Sequence, residues 1–226
     1  MAAAPRVEGV LSEGMRRAPS AGLRIQHFRA YAAVASTDEG RRTLKRLLAG
    51  EETVPEVPLR ARDRFRIVER LLALGDPDGP DLLAAVAAAD RGDDARRYAF
   101  AAGAAQGDAA TKARYFAAFL DDPVLAESWA EAALGPFNTV EQAALTAPYL
   151  GRALAALPRL KRERKIFFVN HWLAAFLGGQ TAPASAATVA RFLERAKLDR
   201  DLRLKVLEAA DDLERTVTIR GRFAGD

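Results

Sequence analysis

Apolar residues recur every three to four positions from near the start of this chain to near its end. That spacing puts them on one face of a helix, and no stretch alternates apolar and polar residues as a half-buried strand must. The periodic segments are short and carry their own stop and start signals. Thr37 reads as an N-cap, with Asp38 and Glu39 in the first turn where the helix dipole favours acids. That helix runs through Leu44, Leu47 and Leu48 and stops at Gly50. Residues 21–35 carry Leu23, Phe28, Tyr31 and Ala32, and residues 60–74 carry Phe65, Val68, Leu71 and Leu72. The run DPDGP at 76–80 is a turn that delivers Pro80 to a helix start.

The second half repeats the pattern. Asp93 and Asp108 cap helices, the latter bearing Tyr115, Phe116, Phe119 and Leu120. Asp121, Asp122 and Pro123 open a helix with Leu125, Trp129 and Leu134, and Asn138 with Glu141 resembles a capping box. Pro148 and Pro158 are expected to split the next part into two short helices, because proline lacks the interior N–H. Ser185 caps a helix with Val189, Phe192 and Leu193. The last helix, from about Asp199, aligns Leu202, Val206, Ala209, Leu213 and Val217. Residues 5–18 are a weak amphipathic start, so 1–20 is expected to be weakly ordered. The expectation is an all-α fold of about a dozen short helices in antiparallel pairs, an α-solenoid of HEAT or armadillo type. The spacing is too irregular for a strict sequence repeat. No stretch has linker length, so residues 1–226 read as one helical domain.

One stretch stands apart. Residues 160–179, LKRERKIFFVNHWLAAFLGG, open on Lys161, Arg162, Arg164 and Lys165 around the single acid Glu163, then turn aromatic with Phe167, Phe168, Trp172 and Phe176. Ile166, Val169, Leu173 and Phe176 form one apolar stripe; Phe168, Trp172 and Ala175 form a second. A helix apolar on two faces is packed between others. The reading is one central core helix with a basic first turn, ending at Gly178–Gly179 in the left-handed conformation that glycine accepts. Cations at a helix N-terminus oppose its dipole. That misplacement favours a use, gripping carboxylates of a protein partner or a peptide; the plainer reading is a solvated end with Glu163 as counterion.

Composition excludes several classes of chemistry. There is no cysteine, hence no disulfide and no thiolate metal site. Two histidines, His27 and His171, lack the partner four residues on that a His-Glu-x-x-His zinc helix requires: Tyr31 and Ala175 stand there. No Gly-x-Ser-x-Gly elbow and no phosphate loop is present. The acid pairs Asp93–Asp94, Asp121–Asp122 and Asp211–Asp212 point about 100° apart on a helix and do not face each other. Arg91-Gly92-Asp93 is explained by a helix stop followed by a cap. The net charge of +4, from 34 basic and 30 acidic residues, is thin support for nucleic-acid binding. The N-terminal residues have no apolar core behind a basic start, and no window has the length of a membrane span. The expectation is a cytoplasmic protein with neither a nucleic-acid nor a membrane partner.

The run from Trp129 through FNTVEQAALTAPYLGRALAALPRLKRERKIFFVNHWLAAFLGGQ resembles the C-terminal helical domain of the aminopeptidase N family of zinc aminopeptidases. Earlier pieces resemble it in the same order: HFRAYAAVAST, RARDRFRIVERLLALGD, DDARRYAFAAGAA, the lysine-bearing helix and DDPVLAESW. The resemblance covers about residues 20–220. It implies a HEAT- or armadillo-like solenoid that closes over a thermolysin-like catalytic domain, walls a cavity and helps admit and hold peptides, with no zinc ligand of its own. The family's catalytic motifs are missing: the histidines do not build the zinc motif, and Met1 and Met15 are not in a Gly-x-Met-Glu-Asn setting. The expected partners are therefore a catalytic domain, which would carry the zinc, and a peptide substrate, with no cofactor in this chain. Chemistry alone nominates Lys161, Arg162, Arg164, Lys165, Phe137 and Gln142 as partner- or substrate-binding residues. The alternative is a stand-alone α-solenoid scaffold for a protein or peptide.

Overall fold

The computed structural model describes residues 3–165 and 167–223. Twelve α-helices and one 3-10 turn account for the ordered elements among them, and no strand is present. The fold is all-α and helix-repeat-like. Where the sequence reads as a single domain, the chain divides into two compact units, Met1–Gly103 and Ala104–Asp226. Composition does not mark the boundary because no linker lies there: Ala104 and Ala105 are fully buried.

The first unit holds α1 (Ala3–Arg17), α2 (Ala21–Val34), α3 (Asp38–Ala49), α4 (Ala61–Ala73), α5 (Gly79–Ala89) and α6 (Asp93–Gly103). Helices α2, α4 and α6 stack as one layer, with α1 on α2, α3 on α4, and α5 on α4 and α6. Thr37 caps α3, its hydroxyl accepting from the Gly40 amide at 2.9 Å, and Gly50 ends it at φ 79°. The start of the chain is better anchored than its pattern suggests. Met15 is fully buried and Glu8 nearly so, its carboxylate accepting from the Ser36 and Thr37 amides at 2.7 and 3.0 Å. Burial pushes Glu8 up, but these bonds and that from the Thr37 hydroxyl more than offset it and hold its pKa below the usual value. One acid of α1 thus ties down the entry to α3.

The second unit holds α7 (Ala109–Asp121), α8 (Glu127–Phe137), the 3-10 turn Val140–Gln142, α9 (Ala143–Glu163), α10 (Phe168–Gly178), α11 (Pro183–Arg195) and α12 (Arg200–Phe223). Packing of every second helix makes two layers: α8, α10 and α12 in one, and α7, α9 and α11 in the other. Helix α10 is central, touching α8, α9 and α12. Phe168, Val169, Trp172, Leu173, Phe176 and Leu177 are all buried, so both expected stripes face the interior; Ile166 lies outside the described residues. Trp172 stacks on Phe176 with ring centroids 4.4 Å apart and donates its indole N–H to the Ala153 carbonyl at 3.1 Å. Phe116, Phe119, Phe137 and Tyr149 complete the aromatic core.

Several local expectations are overturned. Pro148 and Pro158 do not split a helix; both lie inside the 21-residue α9. Pro148 is exposed and Pro158 half-buried, while the buried face carries Leu150, Ala153, Leu154, Leu157 and Leu160. Burial of that face offsets the ~3 kcal/mol an interior proline costs. Asn138 is no capping-box start: it follows the end of α8, its side-chain amide donating to the Leu134 carbonyl at 3.0 Å. Residues 122–126 form a loop before α8, where Asp122 accepts from the Val124 amide at 2.9 Å. Ser185 lies inside α11 and donates its hydroxyl to Gln180 Oε1 at 2.9 Å. Gly179 keeps a right-handed φ of −77°. Its lack of a side chain serves close approach instead, since a Cβ there would lie 2.1 Å from the Asn138 carbonyl oxygen.

Candidate functional site

The sequence stretch 160–179 is two helices with a corner between them. Helix α9 runs to Glu163, Arg164 turns extended at φ −113° and ψ 162°, and α10 begins at Phe168. Lys161 and Arg162 are therefore in the last turn of a helix, not the first. The negative end of the dipole lies there, so the cations are well placed and not electrostatically misplaced. Tertiary bonds make the corner. The Arg164 guanidinium donates to the Phe119 carbonyl at 3.2 Å and stands 5.3 Å above the Phe168 ring. The Lys165 amide donates to Glu127 Oε2 at 3.2 Å.

Each basic residue has a different fate. Lys161 donates to Asp199 Oδ1 at 2.7 Å and Asp201 Oδ2 at 2.9 Å, tying the end of α9 to the start of α12. Those bonds raise the lysine's pKa; the bond from Lys161, with that from the Leu202 amide, lowers Asp199. Arg162 and the ammonium of Lys165 are exposed and have no partner among the described residues. Lys161, Arg164, Lys165, Val169, Asp201 and Lys205 line a recess of about 290 Å³. Lys205 reaches it from α12, its ammonium donating to Asn170 Oδ1 at 2.8 Å. Asp199, Asp201 and Lys205 were not legible as site residues, because about 40 positions separate them from the lysine and arginines they join.

Phe137 and Gln142 are interior. Phe137 is fully buried and Gln142 nearly so, its amide donating to the Ala105 carbonyl at 2.7 Å. Neither presents a face to a peptide. Between them lies a residue that sequence reasoning passed over. Lys112 of α7 is fully buried, its ammonium donating to the Ala104 carbonyl at 2.7 Å and the Phe137 carbonyl at 2.9 Å. It also stands 5.0 Å above the Phe137 ring. Burial lowers its pKa to about 8. Its role is to satisfy two buried backbone carbonyls that water cannot reach.

The histidines do not converge. His27 lies against Gly14, and His171 on the surface pairs its Nδ1 with Glu131 Oε1 at 3.0 Å. Among the described residues, no three histidine or acidic side chains gather as a metal site would need. No described helix is long and apolar enough to cross a membrane. No protein-family model matches the sequence, and no curated protein is significantly similar to it.

Proposed function

We propose that this chain is a non-catalytic helical module of an aminopeptidase N-type zinc peptidase, one that caps the active-site cavity and helps admit and hold peptide substrates. The observation that carries the reading is the ordered run from Trp129 to Gln180, which resembles that family's helical domain. This run supplies α8, α9 and α10, and from it come Phe137, Tyr149, Phe168, Trp172 and Phe176 of the aromatic core. The zinc and the catalytic groups would belong to a partner domain. Arg162 and Lys165, exposed at the corner between α9 and α10, are the cations available to a carboxylate of that domain or of a peptide.

Two measurements test this. The purified chain, with or without added zinc, should leave an alanyl-aminocoumarin uncleaved. Co-expressed with the zinc-motif catalytic domain encoded alongside it, the chain should elute as a complex and raise the cleavage rate of long peptides over dipeptides. Zinc-dependent cleavage by the isolated chain, or a coding neighbourhood with no zinc-motif segment, defeats the reading.

A further inference from the structure

We infer that the recess between the end of α9, the start of α10 and α12 is a binding site for a small polyvalent oxyanion of the phosphate type. This does not depend on the peptidase reading. Lys161, Arg164, Lys165 and Lys205 line the recess, and Asp201 is the one acid among its described lining residues. Asp201 is taken by Lys161, which Asp199 also contacts. The other three cations have no carboxylate partner on their side chains among the described residues. Arg164 is held by a carbonyl and a ring, Lys205 by an amide oxygen, and the Lys165 ammonium by nothing. Glu127 of α8 accepts from the Lys165 backbone amide. The four cations face Asp201 and Asp199, with Glu127 at the Lys165 backbone, so the net charge around the recess is positive and three cationic side chains are left without a carboxylate partner among the described residues.

Those three side chains select the ligand: a phosphate-type group carries about two negative charges near neutral pH and three acceptor oxygens, one for each of Arg164, Lys165 and Lys205, where a carboxylate offers two oxygens. The site is partly preorganised: Arg164 is fixed by two contacts and the Lys161 bridge holds α9 to α12, so only the Lys165 and Lys205 side chains need settle on the anion. Charge-assisted bonds from several cations to one oxyanion are among the stronger polar contacts. The volume admits a phosphate or pyrophosphate but is at the lower limit for drug-sized ligands.

The test is calorimetric titration of the full chain with inorganic pyrophosphate, at about 50 mM and then about 200 mM salt. Saturable one-site binding, weakened at the higher salt, is expected. K165Q/K205Q should weaken it at least about tenfold, since two charge-assisted contacts go. R62Q/R91Q, which removes equal charge from exposed positions of the first unit, should leave it unchanged. Matching melting curves and helical circular dichroism establish that both variants fold. Equal affinity for tripolyphosphate and adenosine triphosphate supports a site that reads phosphates alone, and a marked nucleotide preference overturns it. So does an absence of binding at about 1 mM, equal binding by K165Q/K205Q, or tighter binding of an Asp/Glu hexapeptide, which would assign the recess to an acidic protein segment.

Discussion

Lys112 and Phe137 are joined twice: the ammonium donates to the Phe137 carbonyl at 2.9 Å and stands 5.0 Å above the same residue's ring. A second bond, to the Ala104 carbonyl at 2.7 Å, makes this fully buried lysine the common partner of two buried backbone carbonyls. K112M keeps the length and removes the donors. Two buried carbonyls lose their partner, each at about 1–3 kcal/mol, and relief of the buried charge returns part of that. A net loss of about 2 kcal/mol in urea unfolding at pH 7 is expected. Stability equal to or above that of the parent would show that desolvation outweighs the bonds.

The same lysine has a pH signature. Burial brings its folded pKa to about 8, against 10.5 for the ordinary group. Between these values the unfolded chain holds a proton that the folded chain has released, so unfolding takes up a proton and stability gains from rising pH. The burial penalty is fully present below pH 8 and relieved toward pH 10.5. The parent should therefore gain on K112M across that window, measured as the difference between their unfolding free energies at pH 7.5 and pH 10. A constant difference would place the folded pKa at its ordinary value.

Glu8 tests the anchoring of α1. Its folded pKa is lowered, so its contribution is present above the ordinary carboxylate value and lost as pH falls through the lowered one. E8A leaves the Ser36 and Thr37 amides without this acceptor and should cost about 2 kcal/mol at pH 7. Thermal melts should show the gap narrowing toward pH 3. A gap independent of pH would mean that packing, not the carboxylate, holds the segment.

Trp172 is 1% exposed, and W172A should lose about 3–5 kcal/mol through the cavity it leaves. An unchanged denaturation midpoint would place the indole outside the core.

Two glycines separate close approach from flexibility. G179A sets a Cβ 2.1 Å from the Asn138 carbonyl oxygen, where backbone faces backbone and neither can retreat cheaply; a loss above about 2 kcal/mol is expected. G151A, exposed within α9 with open space around it, should gain about 0.5–1 kcal/mol. Opposite signs in one denaturant series confirm the pair, and equal effects contradict it.

Much of the helix inventory was legible because its signals are local. Thr37, Gly50 and Asp108 cap where their residue types and positions said they would. The stripes of α10 read directly into a buried helix because periodicity and burial are two views of one geometry. The candidate site was half legible. Lys161, Arg164 and Lys165 do share a recess, but Phe137 and Gln142 are core, and Lys205 carried no signal. Lys112 sits within an ordinary helical pattern and gave none either.

What the amino-acid order determined alone is the class of fold: short amphipathic helices, the apolar faces they must bury, and the lack of any thiolate or His-Glu-x-x-His chemistry. Caps and stripes act over about four residues, so a linear reading contains them. What only tertiary structure decided is the corner between α9 and α10, the unbroken α9 and the partners of the basic residues. No glycine or proline marks that corner. It exists because Arg164 finds Phe119 and Phe168, Lys165 finds Glu127, and Lys161 finds Asp199 and Asp201. Most of these partners lie about 40 residues away in sequence, and only packed helices bring them within bonding distance.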